Sequence, residues 1–226
     1  MGKTKAIILA AGDSKRMKSQ KSKVLHEILG KPIINYVTDA AKNAGADEII
    51  IVAGDNIEAL KAHVPHVSFA HQTVRQGTGH AVMCAKEFLK EDDTVIILYG
   101  DSPLLQADTV RRILAAHNRI SAEATVVSCL VDDPTGYGRI VRENGSFGKI
   151  VEQKDAGDEQ LRIKEINTGV YCFNGERLLY ALSRLTNDNA QNEYYLTDTL
   201  EILLNSGSNV QVYLDNDPLD YHGIND

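Results

Sequence analysis

Between Gly12 and Lys23 the chain carries Lys15, Arg16, Lys18, Lys21 and Lys23, with no acid after Asp13. Four lysines and one arginine in nine residues reverse the local sign of a chain whose net charge is −7. Such a loop suits phosphate: backbone N–H groups wrap an anion, and Arg and Lys add charge and direction. A solvated basic surface loop is the other reading. It matches neither standard phosphate motif, because no second glycine follows Gly12 at the Walker A distance and Ser14 and Met17 stand where Gly-x-Gly-x-x-Gly needs glycines. Further on, Asp101 follows an apolar run, where a lone carboxylate suits Mg²⁺, a cation that fills its shell with water and phosphate oxygens. A loop Asp capping the segment before Pro103 is the alternative. Gln72 precedes Gly77-Thr78-Gly79. Two close glycines admit a ligand to the backbone, and a Gln amide can read a base edge; the plain alternative is a turn and a helix start.

The elements that must position these groups follow from hydrophobic patterning. Ala6–Ala11 is an apolar run bounded by Gly12 and reads as a buried strand of a parallel sheet. Glu48–Ala53, Val67–Phe69 and Thr94–Tyr99 are further strands, the last delivering Gly100 and Asp101 at its C-terminal end. Open α/β sheets bind ligands outside those ends. Helices are expected after Pro32 to Gly45, after Asp55, over Ala81–Leu89, and over Leu105–His117 with Asp108 as a possible cap. Near residue 122 the pattern changes to short strands over Ala124–Val131, Gly138–Arg142, Phe147–Val151, Ile166–Phe173 and Val210–Leu214. Helices are expected over Glu176–Leu185 and Thr197–Leu204. Glu143-Asn144-Gly145 is a hairpin signal. The stretch Asn187–Asp198 reads as a surface loop leading to a capped helix. His63 and His66 are read as an exposed helical face.

Composition narrows the classes. Hydrophobic residues make up 43% and charged residues 24% of 226, ordinary for a globular α/β protein. With 31 Asp and Glu against 24 Lys and Arg, a general nucleic-acid or anionic-membrane surface is not expected. Three widely spaced cysteines, Cys84, Cys129 and Cys172, form no Cys-x-x-Cys and suit a reducing, cytoplasmic setting. The start MGKTK lacks a signal peptide's apolar core.

The first loop also resembles the signature of sugar nucleotidyltransferases, Leu-Ala-Ala-Gly-x-Gly-Thr-Arg-Met followed by Pro-Lys-Val-Leu. Leu9–Gly12, Arg16-Met17 and Lys23–Leu25 match in order and spacing. Ser14-Lys15 replace the family's Gly-Thr, and Ser22 replaces its proline. GTGHA at Gly77–Ala81, DDPTGYGRI at Asp132–Ile140, Glu152–Ala156, EINTG at Glu165–Gly169 and the run Leu185–Tyr195 occur in order. Together they make the chain similar, over nearly its whole length, to the uridylyltransferase half of the bifunctional N-acetylglucosamine-1-phosphate uridylyltransferases and glucosamine-1-phosphate acetyltransferases. Their hexapeptide-repeat β-helix half has no counterpart in this sequence.

The resemblance implies a Rossmann-like α/β nucleotidyltransferase fold: one domain with a mostly parallel central sheet. Its nucleotide-binding part would span about 1–122, and a smaller α+β sugar-binding part about 123–226. It implies transfer of a uridylyl group from UTP to N-acetylglucosamine 1-phosphate. Leu9, Ala10, Ala11, Gly12, Gln72, Gly77 and Thr78 would hold uridine, with Tyr99, Gly100 and Asp101 at the centre. Gly138, Glu152 and Asn167 would hold the amino sugar. Asp101 and Asn225 would bind Mg²⁺, and Arg16 and Lys23 would face the triphosphate. Other expectations stay open: a different sugar phosphate, or a sugar-nucleotide-binding module with weak or no turnover. Ser14 adds a Cβ at a turn, and the missing proline at Ser22 frees the loop before Lys23. The tail from Tyr221 is expected to be loose until ligand orders it. Neither nucleic acid nor membrane is expected as a partner, and no oligomeric state is implied.

Overall fold

The structure, a computed structural model, describes residues 2–12 and 21–224. Ser14, Lys15, Arg16 and Asn225 lie outside the described residues, and with them the roles expected of them. In chain order the strand β1 (Thr4–Ala10) comes first, then a short hairpin of β2 (Glu27–Ile28) and β3 (Lys31–Pro32). Next are α1 (Ile33–Asn43), β4 (Glu48–Ala53), α2 (Ile57–His63), β5 (Ser68–His71) and α3 (Thr78–Cys84). They are followed by β6 (Thr94–Tyr99), α4 (Ala107–Arg119), β7 (Ala124–Leu130), β8 (Arg139–Glu143) and β9 (Ser146–Val151). The last are α5 (Asp158–Leu161), β10 (Glu165–Asn174), α6 (Gly175–Leu182), α7 (Asp198–Asn205) and β11 (Val210–Asp215).

The main sheet runs β11-β7-β10-β6-β1-β4-β5, with the β8–β9 hairpin hung on β10. Every neighbouring pair along this path is parallel except the two made by β10, which runs against both β6 and β7. Parallel strands buried on both faces read as unbroken apolar runs, and Ala6–Ala10 is buried throughout. Alternate residues serve opposite cores. Ile7 and Leu9 pack with α3, α6 and α7, while Ala6, Ile8 and Ala10 pack with α1, α2 and α4. The result is a three-layer α/β/α arrangement.

The chain leaves β1 for β4 on one side and later returns to β6 on the other. That reversal places a topological switch point between the C-terminal ends of β1 and β6, where this class of sheet opens a crevice. At the opposite end of those strands, Lys5 is buried, and its Nζ lies 3.1 Å from both Glu48 Oε2 and Asp93 Oδ2 and donates to the Phe88 carbonyl. Asp93, itself buried, also accepts the backbone N–H groups of Lys3 and Lys90. Removing one member of such a knot strands the others away from water. Lys5→Met is expected to cost about 3 kcal/mol, and a loss below about 1 kcal/mol in urea unfolding would show that the knot is not a stabilising unit.

Several local expectations are corrected. The helix expected over Ala81–Leu89 starts at Thr78 and ends at Cys84, with a separate 3-10 turn at Lys86–Phe88. The cap of α4 is Gln106, with Asp108 inside the first turn. His63 ends α2, while His66 lies beyond it with φ +68°, so the two share no helical face. The hairpin signal holds: Asn144 and Gly145 both have positive φ between the paired Glu143 and Ser146, as a type I′ turn requires.

The start of the tail, up to Ile224, has partners in the fold. Tyr221 is buried and donates to Asp215 Oδ2 at 2.7 Å, and Asp220 accepts from Thr109. The Ile224 N–H donates to the Asp101 carbonyl at 3.0 Å. The segment up to Ile224 is tied to the fold at Tyr221 and at the Ile224 N–H.

Candidate active site

At the switch point, the end of β1 faces the end of β6. Gly100 N–H donates to the Leu9 carbonyl at 2.9 Å. A Cβ on Gly100 would sit 2.9 Å from Ile34 Cδ1 and 3.1 Å from Leu9 O, so the turn into Asp101 is built for glycine. Outside these ends lies a cavity of about 560 Å³ lined by Leu9 to Gly12, Lys23, Gln72, Gly77, Thr78, Tyr99 and Asp101, together with Ser22, Arg75 and Glu193. A second cavity, of about 710 Å³, is lined by Gly138, Glu152, Asn167, Tyr137, Tyr221 and Gly223 among others. Tyr99 and Asp101 line both. Every expected binding residue among the described ones therefore falls on one cavity or the other, except Gly100, whose backbone forms the turn into Asp101.

At the junction, Lys23 Nζ donates to Asp101 Oδ2, and both side chains keep only about a sixth of their surface exposed, 16% and 17%. Lys23 reaches this point from a 3-10 turn, Lys23–Leu25, whose Val24 and Leu25 are buried. Ser22, which stands where the resembled family has proline, holds φ −55° and ψ 138°, a conformation proline would share. Its Oγ accepts from Asn56 Nδ2 at 2.8 Å. The serine thus takes a proline-compatible backbone conformation and adds a side-chain hydrogen bond to Asn56.

The second cavity is shaped by a β-bulge in β10 between Asn167 and Tyr171. Gly169 sits there with φ +83°, and a Cβ on it would lie 2.3 Å from the Tyr99 ring. Burial, then the charges of Glu152 and Asp101, push the Tyr99 phenol well above its ordinary range, so it stays a neutral donor and acceptor. Asn167 Oδ1 accepts the Gly169 N–H at 3.0 Å and its Nδ2 donates to Tyr171 Oη at 2.7 Å, leaving one amide hydrogen uncommitted. Asn167 N–H donates to the Gly138 carbonyl at 2.9 Å, and a Cβ on Gly138 would stand 3.4 Å from Glu152 Oε2. Residues far apart in sequence, 138, 152 and 167, are thus one cluster. Burial raises the Glu152 carboxyl, against a hydrogen bond from Thr197 Oγ1 at 3.3 Å.

The segment read as a surface loop, Asn187–Asp198, instead docks on the start of α3. Gly79 N–H donates to Tyr194 O and Tyr194 N–H to Gln76 O, both at 2.8 Å, and Leu196 N–H donates to Thr78 Oγ1 at 3.1 Å. Gly77, at φ +101°, has no room for a Cβ, which would fall 2.5 Å from Tyr194 O. Sequence reasoning missed Arg75 and Glu193 as lining residues. Arg75 was legible as a cation two positions before the glycine pair, but nothing local marked Glu193. Among the described residues no group of three or more His, Cys, Asp or Glu stands close enough to hold a metal. No described helix is long and apolar enough to cross a membrane.

Near Glu152, Asp198 opens α7, and its carboxyl is pushed up from 3.8 to about 6, first by burial and then by Glu201, Glu152 and Asp155. The folded state therefore holds this proton more tightly than the unfolded chain. The stability it contributes is present below about pH 4 and is lost as pH rises through about 6. Asp198→Asn is expected to raise the melting temperature at pH 8 and to change it little at pH 4, with the helix N-terminus offsetting part of a gain of about 1–3 kcal/mol. Equal changes at both pH values would rule out titration as the cause.

The family profile described as "NTP_transf_3: MobA-like NTP transferase domain" matches residues 6–199, most of the chain. The chain belongs to this family. Among individual relatives, it is 48% identical over 224 residues to the "Bifunctional protein GlmU" of Acetivibrio thermocellus, covering 98% of this chain and 49% of that protein. It is 43% identical over 223 residues to the protein of that name from Clostridioides difficile, again covering 98% and 49%. The chain thus spans about half the length of the curated relatives it matches. A solved UDP-glucose pyrophosphorylase complexed with UDP-glucose superposes with a TM-score of 0.80 at 20% identity, covering 96% of this chain and 91% of that one. That likeness carries the fold. In this fold the strand-end cavity, lined by Lys23 and Arg75, lies at the topological switch point, beside a second cavity that shares Tyr99 and Asp101.

Proposed function

We propose that this domain transfers a uridylyl group from UTP to N-acetylglucosamine 1-phosphate, giving UDP-N-acetylglucosamine and pyrophosphate. The observation that carries the reading is the pair of cavities meeting at Tyr99 and Asp101, with Lys23 at the meeting point. One cavity suits a nucleotide and the other a sugar. A phosphate oxygen of the sugar phosphate forms the new bond to the α-phosphorus of UTP, and the bond from that phosphorus to the departing pyrophosphate breaks. Such a transfer needs in-line positioning and charge neutralisation more than a protein nucleophile.

In this reading Leu9, Ala10, Ala11, Gly12, Gln72, Gly77 and Thr78 hold uridine, and Gly138, Glu152 and Asn167 hold the amino sugar. Gly100 turns the chain so that Tyr99 and Asp101 face both. Lys23, with Arg16 from outside the described residues, offsets the charge that builds on the pyrophosphate. The carboxylate that both cavities share suits Mg²⁺, which takes few protein ligands beside phosphates, and Gly223 packs next to it: a Cβ there would stand 3.5 Å from Asp101 Oδ2. Asp101 would hold the ion, with Asn225, and the ion would supply charge neutralisation on the phosphates. We read residues 1–122 and 123–226 as the nucleotide and sugar parts of one domain. Its three free thiols suit a cytoplasmic setting.

The test is pyrophosphate release with UTP, N-acetylglucosamine 1-phosphate and Mg²⁺, against a panel of other sugar phosphates. Turnover is expected with this pair and to be weaker with glucose 1-phosphate. Binding of UDP-N-acetylglucosamine without pyrophosphate release would make the chain a binding module, and preference for another sugar phosphate would reassign the second cavity.

A further inference from the structure

Gln72 is buried, with 5% of its surface exposed, and lines the strand-end cavity. Its Nε2 lies 3.1 Å from the Gly77 carbonyl oxygen and 3.1 Å from His80 Nδ1. The Gly77 oxygen only accepts, so the Gln72 atom facing it is the amide nitrogen. That nitrogen has two hydrogens. One goes to Gly77 and the other to His80, which makes His80 Nδ1 a bare acceptor and puts the proton of the neutral ring on Nε2. Both Gln72 hydrogens are spent inside the protein. Oε1 is the atom left over: no described residue donates to it, and it is not among the sealed, unpartnered polar atoms. The imidazole is itself held, its ring 6.3 Å from that of Tyr194, whose backbone bonds Gln76 and Gly79.

We infer that His80 is a specificity-determining positioning residue, fixing the Gln72 amide so that its carbonyl oxygen faces the base. The inference rests on the proposed placement of uridine beside Gln72. Uracil presents a ring N–H between two carbonyls, and that N–H is the partner a fixed carbonyl oxygen wants. Cytosine presents a bare ring nitrogen beside an amino group, so the same oxygen meets a lone pair. Turning the amide over to suit cytosine would aim Oε1 at the Gly77 oxygen and at the His80 lone pair, breaking two hydrogen bonds and opposing acceptor to acceptor. His80 touches no substrate in this account. It acts by making the wrong amide orientation costly.

The experiment compares kcat/KM for UTP, CTP and dTTP in the native protein, His80→Leu and His80→Asn. His80→Leu removes the acceptor and is expected to lower the UTP-over-CTP ratio about tenfold, chiefly through a higher KM for UTP. The UTP-over-dTTP ratio should not move, because thymine carries the same N–H between carbonyls; a merely disturbed pocket would shift both ratios. His80→Asn, whose side-chain oxygen can take the Gln72 hydrogen, is expected to restore most of the discrimination. An unchanged UTP-over-CTP ratio in folded His80→Leu overturns the inference. If that variant does not fold, the ¹⁵N spectrum of the native imidazole decides: an unprotonated Nδ1 in the neutral ring is expected, and an Nδ1–H tautomer overturns it. If the native protein releases no pyrophosphate, the uridylyltransferase reading fails by itself. Calorimetric binding of UTP and CTP to the same proteins then carries the comparison.

Discussion

Asp101→Ala is expected to lower turnover by roughly 10³-fold or more while leaving the fold in place, the upper range for losing one charged group at a reacting centre. The carboxylate sits where the two cavities join and is paired with Lys23. Its backbone carbonyl, not its side chain, holds the Ile224 N–H, so truncation spares the latch on the chain's last described turn. The Gly100 turn and β6 are untouched. What the variant loses is the one carboxylate that both cavities share. Asp101→Asn keeps the shape and removes the charge, and is expected to be nearly as slow. Initial rates across a Mg²⁺ titration check this: near-native turnover at saturating Mg²⁺ in either variant would remove Asp101 from the proposed reaction.

Lys23→Ala is expected to slow turnover at saturating UTP by roughly 10²–10³-fold. The ammonium already stands against a carboxylate at the junction, partly shielded from water, where a charge counts for more than on an open surface. Removing it also leaves Asp101 without its partner, so a modest fall in melting temperature should accompany the fall in rate. Lys23→Arg keeps the charge but not the compact shape and is expected to recover only part of the rate. The split between KM and kcat separates two roles. If KM for UTP rises and kcat is unchanged, Lys23 contributes uniform binding and not stabilisation of the departing pyrophosphate.

Much of the scaffold was legible because its signals are local. Thr94–Tyr99 matches its expected bounds, since an unbroken apolar run ended by Gly-Asp has few other solutions. Asn144-Gly145 forms its turn because two successive positive φ values select those residue types. Ser22 shows the limit of motif reading: its backbone is proline-like, and its hydroxyl accepts from Asn56, 34 residues away, a pairing the motif does not show. The Asn187–Asp198 segment shows it again, since its composition is that of a surface loop and its partners are Gln76, Thr78 and Gly79.

By itself the sequence determined the order of strands and helices, the apolar faces that build two cores, and the motif residues that mark the family. These depend on periodicity, on glycine and turn chemistry, and on side-chain type, all of which act within a few residues. Only the tertiary structure decided that β10 enters between β6 and β7 against their direction, bringing Asn167 and Gly169 to the strand end that carries Tyr99. It alone joined Lys23 to Asp101, placed Gly138 beside Glu152 and Asn167, bonded Ile224 to Asp101, and set the Gln72 amide nitrogen between the Gly77 carbonyl and His80. Each of these is a pairing between segments whose patterns permit many partners. The choice among them is made when register, burial and hydrogen-bond satisfaction are settled together across the whole sheet.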